Sequence, residues 1–442
     1  MHYLLATLAE RVKDSFCYNS CKLMADRTNW KLALYVILTT GILLLAVYTI
    51  LKTASSDTLV LAANISSDRR LILVKNSQEV SANAAVSLPA TTKITTKVPE
   101  VPVKYDIVIN SYMRSGSSFM GQLLAFRPDS FYWYEPLWNY DSGVYYWGKD
   151  YVCTGHSNCG YARNRHLNMD TMHKALYNIY TCDFSTLVPA VAEQMTPSYS
   201  GSVWKPYQAC RAQGQTVSTC LKKMEAICKT AKHRTTKIVR LTVDNLEYVL
   251  ENLPNVKVVH LMRDPRAIIN SRITTNWYNL QESPHDNHQR IRSDAKDLCL
   301  RMKYDLKVGT VLKQKFPGRF AFVMFEDLQT DMKSKTGILY SYFGIDKSTV
   351  ESKLANMTGI LQNEHLVNRT WGDYTNWWRH QLSFGAIKAI DSVCKNVSDT
   401  LGYTIFSSES QLKDVSLKAF SFREELLLEN LHKSTLYNFN FV

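Results

Sequence analysis

No Gly-x-x-x-x-Gly-Lys-[Ser/Thr] segment occurs in this sequence, so the lysine-bearing loop with which P-loop proteins hold nucleoside triphosphates is missing. There is no Asp-x-Asp tripeptide, the metal-nucleotide motif of many sugar-nucleotide transferases. Cys153/Cys159 and Cys220/Cys228 lack zinc-finger spacing with matching histidines, which argues against a structural zinc site. No internal repeat suggests a solenoid or propeller. Acidic residues are outnumbered, 39 Asp and Glu against 52 Lys and Arg, for a formal charge of +13. Such a balance suits an anionic partner, whether nucleic acid, phosphate, membrane or acidic glycan, without choosing among them. With 442 residues, 45% hydrophobic and 21% charged, the chain has ordinary means to bury a core, as one large α/β domain or a few smaller ones.

What is present begins with an uncharged apolar run, residues 32–51, closed by Lys31 and Lys52. A helix of about 20 such residues crosses a bilayer core, and the run is longer than the core of a cleaved signal peptide. Arg11, Lys13, Lys22, Arg27 and Lys31 precede it, whereas Lys52, Arg69 and Arg70 follow, so the positive-inside rule places the N-terminal tail in the cytosol. The tail's five basic and three acidic residues account for +2 of the +13, leaving +11 beyond the span. Sequons at Asn64, Asn356, Asn368 and Asn396 all lie beyond it, as do eight of the ten cysteines, which an oxidising lumen would allow to pair in an order the sequence does not give. Residues 52–103, punctuated by Pro89, Pro99 and Pro102, read as an extended stem. The expected plan is a cytosolic tail (1–31), a transmembrane anchor (32–51), a lumenal stem (52–103) and a folded domain (104–442).

Within that domain, apolar runs at 105–110, 130–134, 237–243, 256–262 and 320–325 read as strands, with helical patterns between several of them. Continuous apolar strands alternating with helices predict an α/β fold with a parallel sheet covered on both faces. Residues 140–235 are rich in cysteine and aromatics, and their weak periodicity assigns no elements.

Two strand-to-helix turns carry chemistry. In "INSYMRSGSSF", Gly116 lets the backbone approach a ligand closely, Ser117 and Ser118 open a helix, and Arg114 supplies a charge-assisted donor. The first helical turn presents unbonded amides and the positive end of its dipole, a ready anion site; alone, the segment reads equally as a serine cap beside an exposed arginine. In "VKVVHLMRDPRAIINSR", Asp264 suits a cap and Pro265 an early helical position, with Arg263 at the strand exit and Ser271 about two turns down. That segment alone also reads as an Asp–Arg surface pair.

Together the two turns resemble the donor site of Golgi carbohydrate sulfotransferases, closest to the branch that sulfates the 6-hydroxyl of galactose, N-acetylglucosamine or N-acetylgalactosamine. "FYWYEPLW", "KIVRL", "FEDL", "WWRHQLSF" and "LGY" continue the resemblance in order over residues 105–405. It implies a doubly wound parallel sheet of nucleotide-kinase-like sulfotransferase type, preceded by one transmembrane helix. By the same resemblance the co-substrate is 3′-phosphoadenosine 5′-phosphosulfate, with no metal, and the acceptor is a glycan or glycosaminoglycan. Arg114, Ser115, Gly116, Ser117, Ser118 and Phe119 would hold the 5′ side of the donor, and Arg263 and Ser271 the 3′-phosphate. The location implied is the Golgi membrane, single-pass type II.

Sulfuryl transfer also needs a base for the sugar hydroxyl. Glu135 follows the strand after the first turn, among Trp133, Tyr134 and Trp138, which could raise its pKa by desolvation and stack on sugars. It also reads as a structural carboxylate before Pro136, and His156, His166 and His173 are rivals for the role. "NRTWGDYTNWWRHQL", with Arg369 and Arg379, suits either a nucleotide or glycan contact or a packed helix. Two other functions share the membrane plan: a Golgi glycosyltransferase, and a non-catalytic lumenal glycan-binding protein. The anchor and the lumenal sequons fit a nucleic-acid partner poorly.

Overall fold

The computed structural model describes residues 105–431, interrupted at 126, 139–143, 148–150, 155–157, 162–164, 188–190, 192–199, 276–286, 350, 353 and 355–372, together with residue 439. All fall within one compact unit, Lys97–Val442. The expected tail, anchor and stem, and the sequons at Asn64, Asn356 and Asn368, lie outside the described residues. Among the described residues no helix is long and apolar enough to cross a membrane.

Strand β1 (Asp106–Ser111) is the centre of a five-stranded parallel sheet in the order β2-β6-β1-β7-β8. Its partners are β2 (Ser130–Tyr134), β6 (His233–Ile238), β7 (Val256–Met262) and β8 (Phe320–Met324). Alternation along β1 explains why both faces must be covered. Ile107 and Ile109 join one buried cluster with Met120 and Leu123 of helix α1 (Ser117–Ala125), while Val108 joins another with Met172 of α2 (Arg165–Thr181). The first face is completed by helix α7 (Met332–Phe343), the second by α5 (Pro265–Thr274), α6 (His288–Lys315) and α8 (Phe384–Leu401). Gly309 of α6 shows how closely helix and sheet approach: a Cβ there would sit 2.2 Å from the ring of Phe322.

The strand expected at 237–243 lies four residues earlier. The β6 segment "HRTTKI" reads as polar, but the fold satisfies its side chains: Arg234 pairs with Asp106 at 3.2 Å, Thr236 Oγ1 meets the Tyr180 hydroxyl at 2.6 Å, and a His233 ring nitrogen meets the Tyr105 carbonyl oxygen at 2.7 Å. The region left without elements by its sequence holds a three-stranded antiparallel sheet (β3, Val144–Trp147; β4, Tyr151–Thr154; β5, Asn158–Tyr161), α2, and α3 (Val217–Thr230). Disulfides Cys182–Cys228 and Cys210–Cys220 staple this region, and Cys299–Cys394 ties α6 to α8.

Candidate active site

The carboxyl ends of β1, β2, β6 and β7 share one edge of the parallel sheet, the place where strand order reverses around β1 and where such sheets bind ligands. At the end of β1 the chain turns through Arg114, in the left-handed region at φ 73°, and Gly116 at φ 94°. Gly116 is required twice over: its φ disfavours side chains, and a Cβ would lie 2.4 Å from the Phe325 ring. Its carbonyl accepts from Met120 N at 3.1 Å, so the amides of the preceding helical turn have no acceptor inside α1, and α1 carries no acidic residue in that turn.

The second turn forms as its sequence requires. The Asp264 carboxylate caps α5 by accepting from Arg266 N at 2.9 Å, and Pro265 follows. The same carboxylate takes two bonds from the Arg266 guanidinium, at 2.9 and 2.8 Å, so the second arginine of "RDPR" is a buried structural element. "FEDL" and "LGY" converge on this turn: Glu326 accepts from Asp264 N at 2.8 Å and from the Tyr403 hydroxyl at 3.0 Å.

The fold brings the two turns into contact. Arg114 Nε donates to Ser271 Oγ at 3.0 Å, Arg263 Nη1 to the Arg114 carbonyl at 3.2 Å, and Arg272 Nη2 to the Met113 carbonyl at 3.4 Å. Phe325 lies under both, with the Arg263 guanidinium 4.5 Å from its ring centroid and Phe119 edge-on at 6.3 Å. Arg114, Gly116, Ser117, Ser118, Arg263 and Ser271 therefore belong to one locus, while the Phe119 side chain packs against its floor. Ser115 differs from expectation. Its hydroxyl is fully buried and donates to the Tyr112 carbonyl at 2.7 Å, so it shapes the turn and cannot offer that hydroxyl to a ligand.

Glu135 lies one residue beyond β2, with φ 41°, and its amide extends the ladder by donating to the Lys237 carbonyl at 3.0 Å. As an edge strand, β2 is fixed from outside: Trp204 Nε1 donates to the Tyr132 carbonyl at 2.6 Å and Tyr134 N to Ser200 Oγ at 3.3 Å. Glu135 is not a carboxylate set only among aromatics, as expected, because the Lys237 ammonium is bonded to its Oε1. Its Oε2 is buried with no hydrogen-bond partner among the described residues. Burial lowers the Lys237 pKa, against the pull of Glu135.

The aromatic neighbours separate by strand alternation. Trp133 points into the core against Phe184 and Trp204, removing it from the set that could stack on a sugar. Tyr134 lies beneath the Lys237 ammonium at 4.1 Å, and Trp138 is 40% exposed with the Arg240 guanidinium 5.3 Å from its ring.

Nothing in the segment "KIVRL" marks Lys237 as a site residue. Only the register, which sets Lys237 beside both Ile109 and Tyr134, brings it to the edge of the site. There its Nζ also donates to Ser118 Oγ at 3.3 Å. The rival base His173 stacks on Tyr248 at 4.7 Å and meets the Asn245 carbonyl at 3.0 Å, joining α2 to α4 (Glu247–Asn252). His156 and the His166 side chain lie outside the described residues, as does Arg369. Arg379 is fully internal: it donates to the carbonyls of Leu412, Leu417, Gln411 and Asp414, which decides for packing over ligand contact. Among the described residues no group of three or more His, Cys, Asp or Glu is arranged to hold a metal ion.

Residues 106–349 match the model of the sulfotransferase family. The chain is 25% identical over 349 residues to carbohydrate sulfotransferase 1 of Danio rerio, covering 71% of this chain and 81% of that protein. It is 26% identical over 353 residues to carbohydrate sulfotransferase 5 of Homo sapiens, covering 70% and 80% respectively. Among solved structures it is similar to the sulfotransferase domain from the Synechococcus PCC 7002 olefin synthase, with 16% identity, a TM-score of 0.32, and 65% of this chain and 93% of that one covered. Since the matched span takes in more than half of the sequence and both anion turns, the chain belongs to the sulfotransferase family.

Proposed function

We propose that the protein transfers a sulfuryl group from 3′-phosphoadenosine 5′-phosphosulfate to a sugar hydroxyl of a glycan or glycosaminoglycan, the acceptor position being the 6-hydroxyl of galactose, N-acetylglucosamine or N-acetylgalactosamine. The observation that carries this reading is the Arg114–Ser271 bond, which joins two helix-opening turns into one site for a ligand with two anionic ends. The Gly116 cradle and the positive end of α1 fit the 5′ phosphosulfate, with Arg114 beside it. Arg263 and Ser271, which meet Arg114 from the second turn, would take the 3′-phosphate in this reading. The relatives named carbohydrate sulfotransferases support the choice of a sugar acceptor.

In the reaction the acceptor oxygen attacks sulfur in line with the departing 5′-phosphate, and positioning and charge stabilisation supply most of the catalysis. Arg114 and the first-turn amides of α1 neutralise charge on the leaving phosphate. Glu135 receives the hydroxyl proton through Oε2, its buried, unpartnered oxygen.

The cellular reading is a type II Golgi membrane protein: tail 1–31, anchor 32–51, stem 52–103 and catalytic domain 104–442. Three disulfides in the folded unit suit an oxidising lumen, and Asn396 is exposed on α8 as a glycan acceptor requires. The test is to incubate the detergent-solubilised full chain with radiolabelled donor and a panel of desulfated glycans, then map the labelled hydroxyl. Label at a sugar 6-hydroxyl is the expected result. Donor binding without transfer to any acceptor would favour a glycan-binding protein, and manganese-stimulated transfer from a sugar nucleotide would favour a glycosyltransferase.

A further inference from the structure

Among the described residues two large aromatics are left exposed, Trp138 at 40% and Tyr177 at 37%. Tyr177 lies near the end of α2, one turn from Tyr180, which donates to the Ile107 carbonyl near the start of β1. Trp138 stands instead at the carboxyl edge of the sheet, three residues past Glu135. A lone exposed aromatic on a remote surface would need no explanation. This one is built into the rim of the site. Glu135 N donates to the Lys237 carbonyl and Trp138 N to the Glu135 carbonyl, both at 3.0 Å, and Leu137 between them is buried in the core. The indole meets the guanidinium of Arg240, 5.3 Å from its ring and on a residue only 5% exposed, and a cation against an aromatic face favours one orientation of that ring. The main chain therefore sets the spacing between Trp138 and Glu135, and Arg240 steadies the indole from the protein side.

A pyranose offers a surface that matches an open indole. The C–H groups on one face of a sugar ring are apolar, while its hydroxyls project around the rim. Stacking that face on an aromatic ring buries apolar area and leaves the hydroxyls free to be aimed. Resting on the sulfuryl-transfer reading above, we propose that Trp138 is the platform of an acceptor subsite: the C–H face of the sugar to be sulfated stacks on the exposed indole, which carries its hydroxyl to the sheet edge beside Glu135. The ligand class is a pyranose with one unsubstituted C–H face. The contact recognises a ring face rather than a charge, so it forms without donor and serves neutral and acidic glycans alike. Because the turn is rigid, the stacked ring is held in one relation to the reacting edge.

The test uses the full chain in detergent, first without donor. Two probes are offered: an oligosaccharide of alternating galactose and N-acetylglucosamine, and a desulfated one of alternating N-acetylgalactosamine and glucuronic acid. Calorimetry reads the dissociation constant of the glycan that binds. Trp138→Ala should raise it about tenfold, the loss of one well-packed aromatic contact, and Trp138→Phe should keep most of the affinity. With labelled donor, Trp138→Ala should raise KM for the glycan by a similar factor and leave kcat at saturating glycan within about threefold, the pattern of a contact made equally before and during reaction. Affinity for 3′-phosphoadenosine 5′-phosphate should not change. The proposal is overturned by unaltered glycan affinity in Trp138→Ala, by a loss confined to kcat, by nucleotide affinity falling in step, or by wild-type protein that binds neither probe. Glycan binding through Trp138 without sulfate transfer is a separate result: the platform would stand and the functional reading would fall.

Discussion

At the scale of single residues, the site depends on a few polar atoms whose roles can be separated by substitution. Glu135→Gln keeps the shape and removes the proposed proton acceptor, and turnover should fall about 100- to 10,000-fold, the usual contribution of a general base. Binding of 3′-phosphoadenosine 5′-phosphate should persist, and full turnover in a folded, donor-binding Glu135→Gln would exclude this residue as the base. Ser271→Ala removes the hydroxyl that accepts from Arg114 Nε and that we propose contacts the 3′-phosphate. A hydrogen bond of this kind contributes about 1 kcal/mol, so the dissociation constant of that nucleotide should rise roughly fivefold with kcat at saturating donor little changed. Calorimetry decides it, and unaltered affinity would take Ser271 out of the binding site.

At the scale of elements, the β1–α1 turn works because a helix start, a left-handed glycine and an aromatic floor coincide. Gly116→Ala should damage all three. The backbone at φ 94° costs a side chain about 1–2 kcal/mol, and the new methyl must displace Phe325, which also supports Arg263 and Phe119. The expected outcome is a lower melting temperature together with at least tenfold weaker binding of 3′-phosphoadenosine 5′-phosphate, measured on the same preparation. Retention of both would show that the turn yields more easily than its packing implies. The second turn rests on different physics, a carboxylate clamped by Arg266 and an amide held by Glu326, so its geometry depends on the α8 end of the fold through Tyr403.

At the scale of the whole molecule, a buried polar network ties the sheet to α6 behind the first turn. Asp305 accepts from the Tyr112 hydroxyl and from Val243 N, both at 2.8 Å, and His260 lies 3.9 Å away. Burial raises the Asp305 pKa to about 7 and, through Glu326, does the same at the second turn, while it lowers His260 to about 3. A carboxyl whose folded pKa is raised binds its proton more tightly folded than unfolded. Its contribution to stability is complete below the unfolded value near 4 and is lost as pH rises through about 7. His260 acts oppositely, its contribution lost as pH falls below its ordinary 6.5. Asp305→Asn removes one ionisation and keeps the amide contact to Val243. Relative to this variant, the wild-type melting temperature should fall steadily from about pH 4 to about pH 7 and level off above it. A constant difference between the two proteins over that range would show that Asp305 does not carry the dependence.

The local chemistry is readable along the chain: the glycine, serines and arginine of the first turn, the Asp-Pro start of the second, and the apolar strands β1, β2, β7 and β8. These are legible because they depend on neighbours in the chain, through helix-end amides, fixed φ values and hydrophobic alternation. Strand β6 is not legible at its true position because its polar side chains are satisfied by Asp106, Tyr180 and Tyr105, which no local pattern reveals. Tertiary structure alone decided the rest. Arg114 and Ser271 are 157 residues apart, and Lys237 and Glu135 are 102 apart. Parallel register brings each pair to the same sheet edge, and burial then couples their charges. Strand alternation decided which aromatics face the site, sending Trp133 to the core and leaving Trp138 outside. Local propensity can build a helix-opening turn with free amides, but only packing joins two such turns and sets the Lys237 ammonium against the Glu135 carboxylate at the same sheet edge.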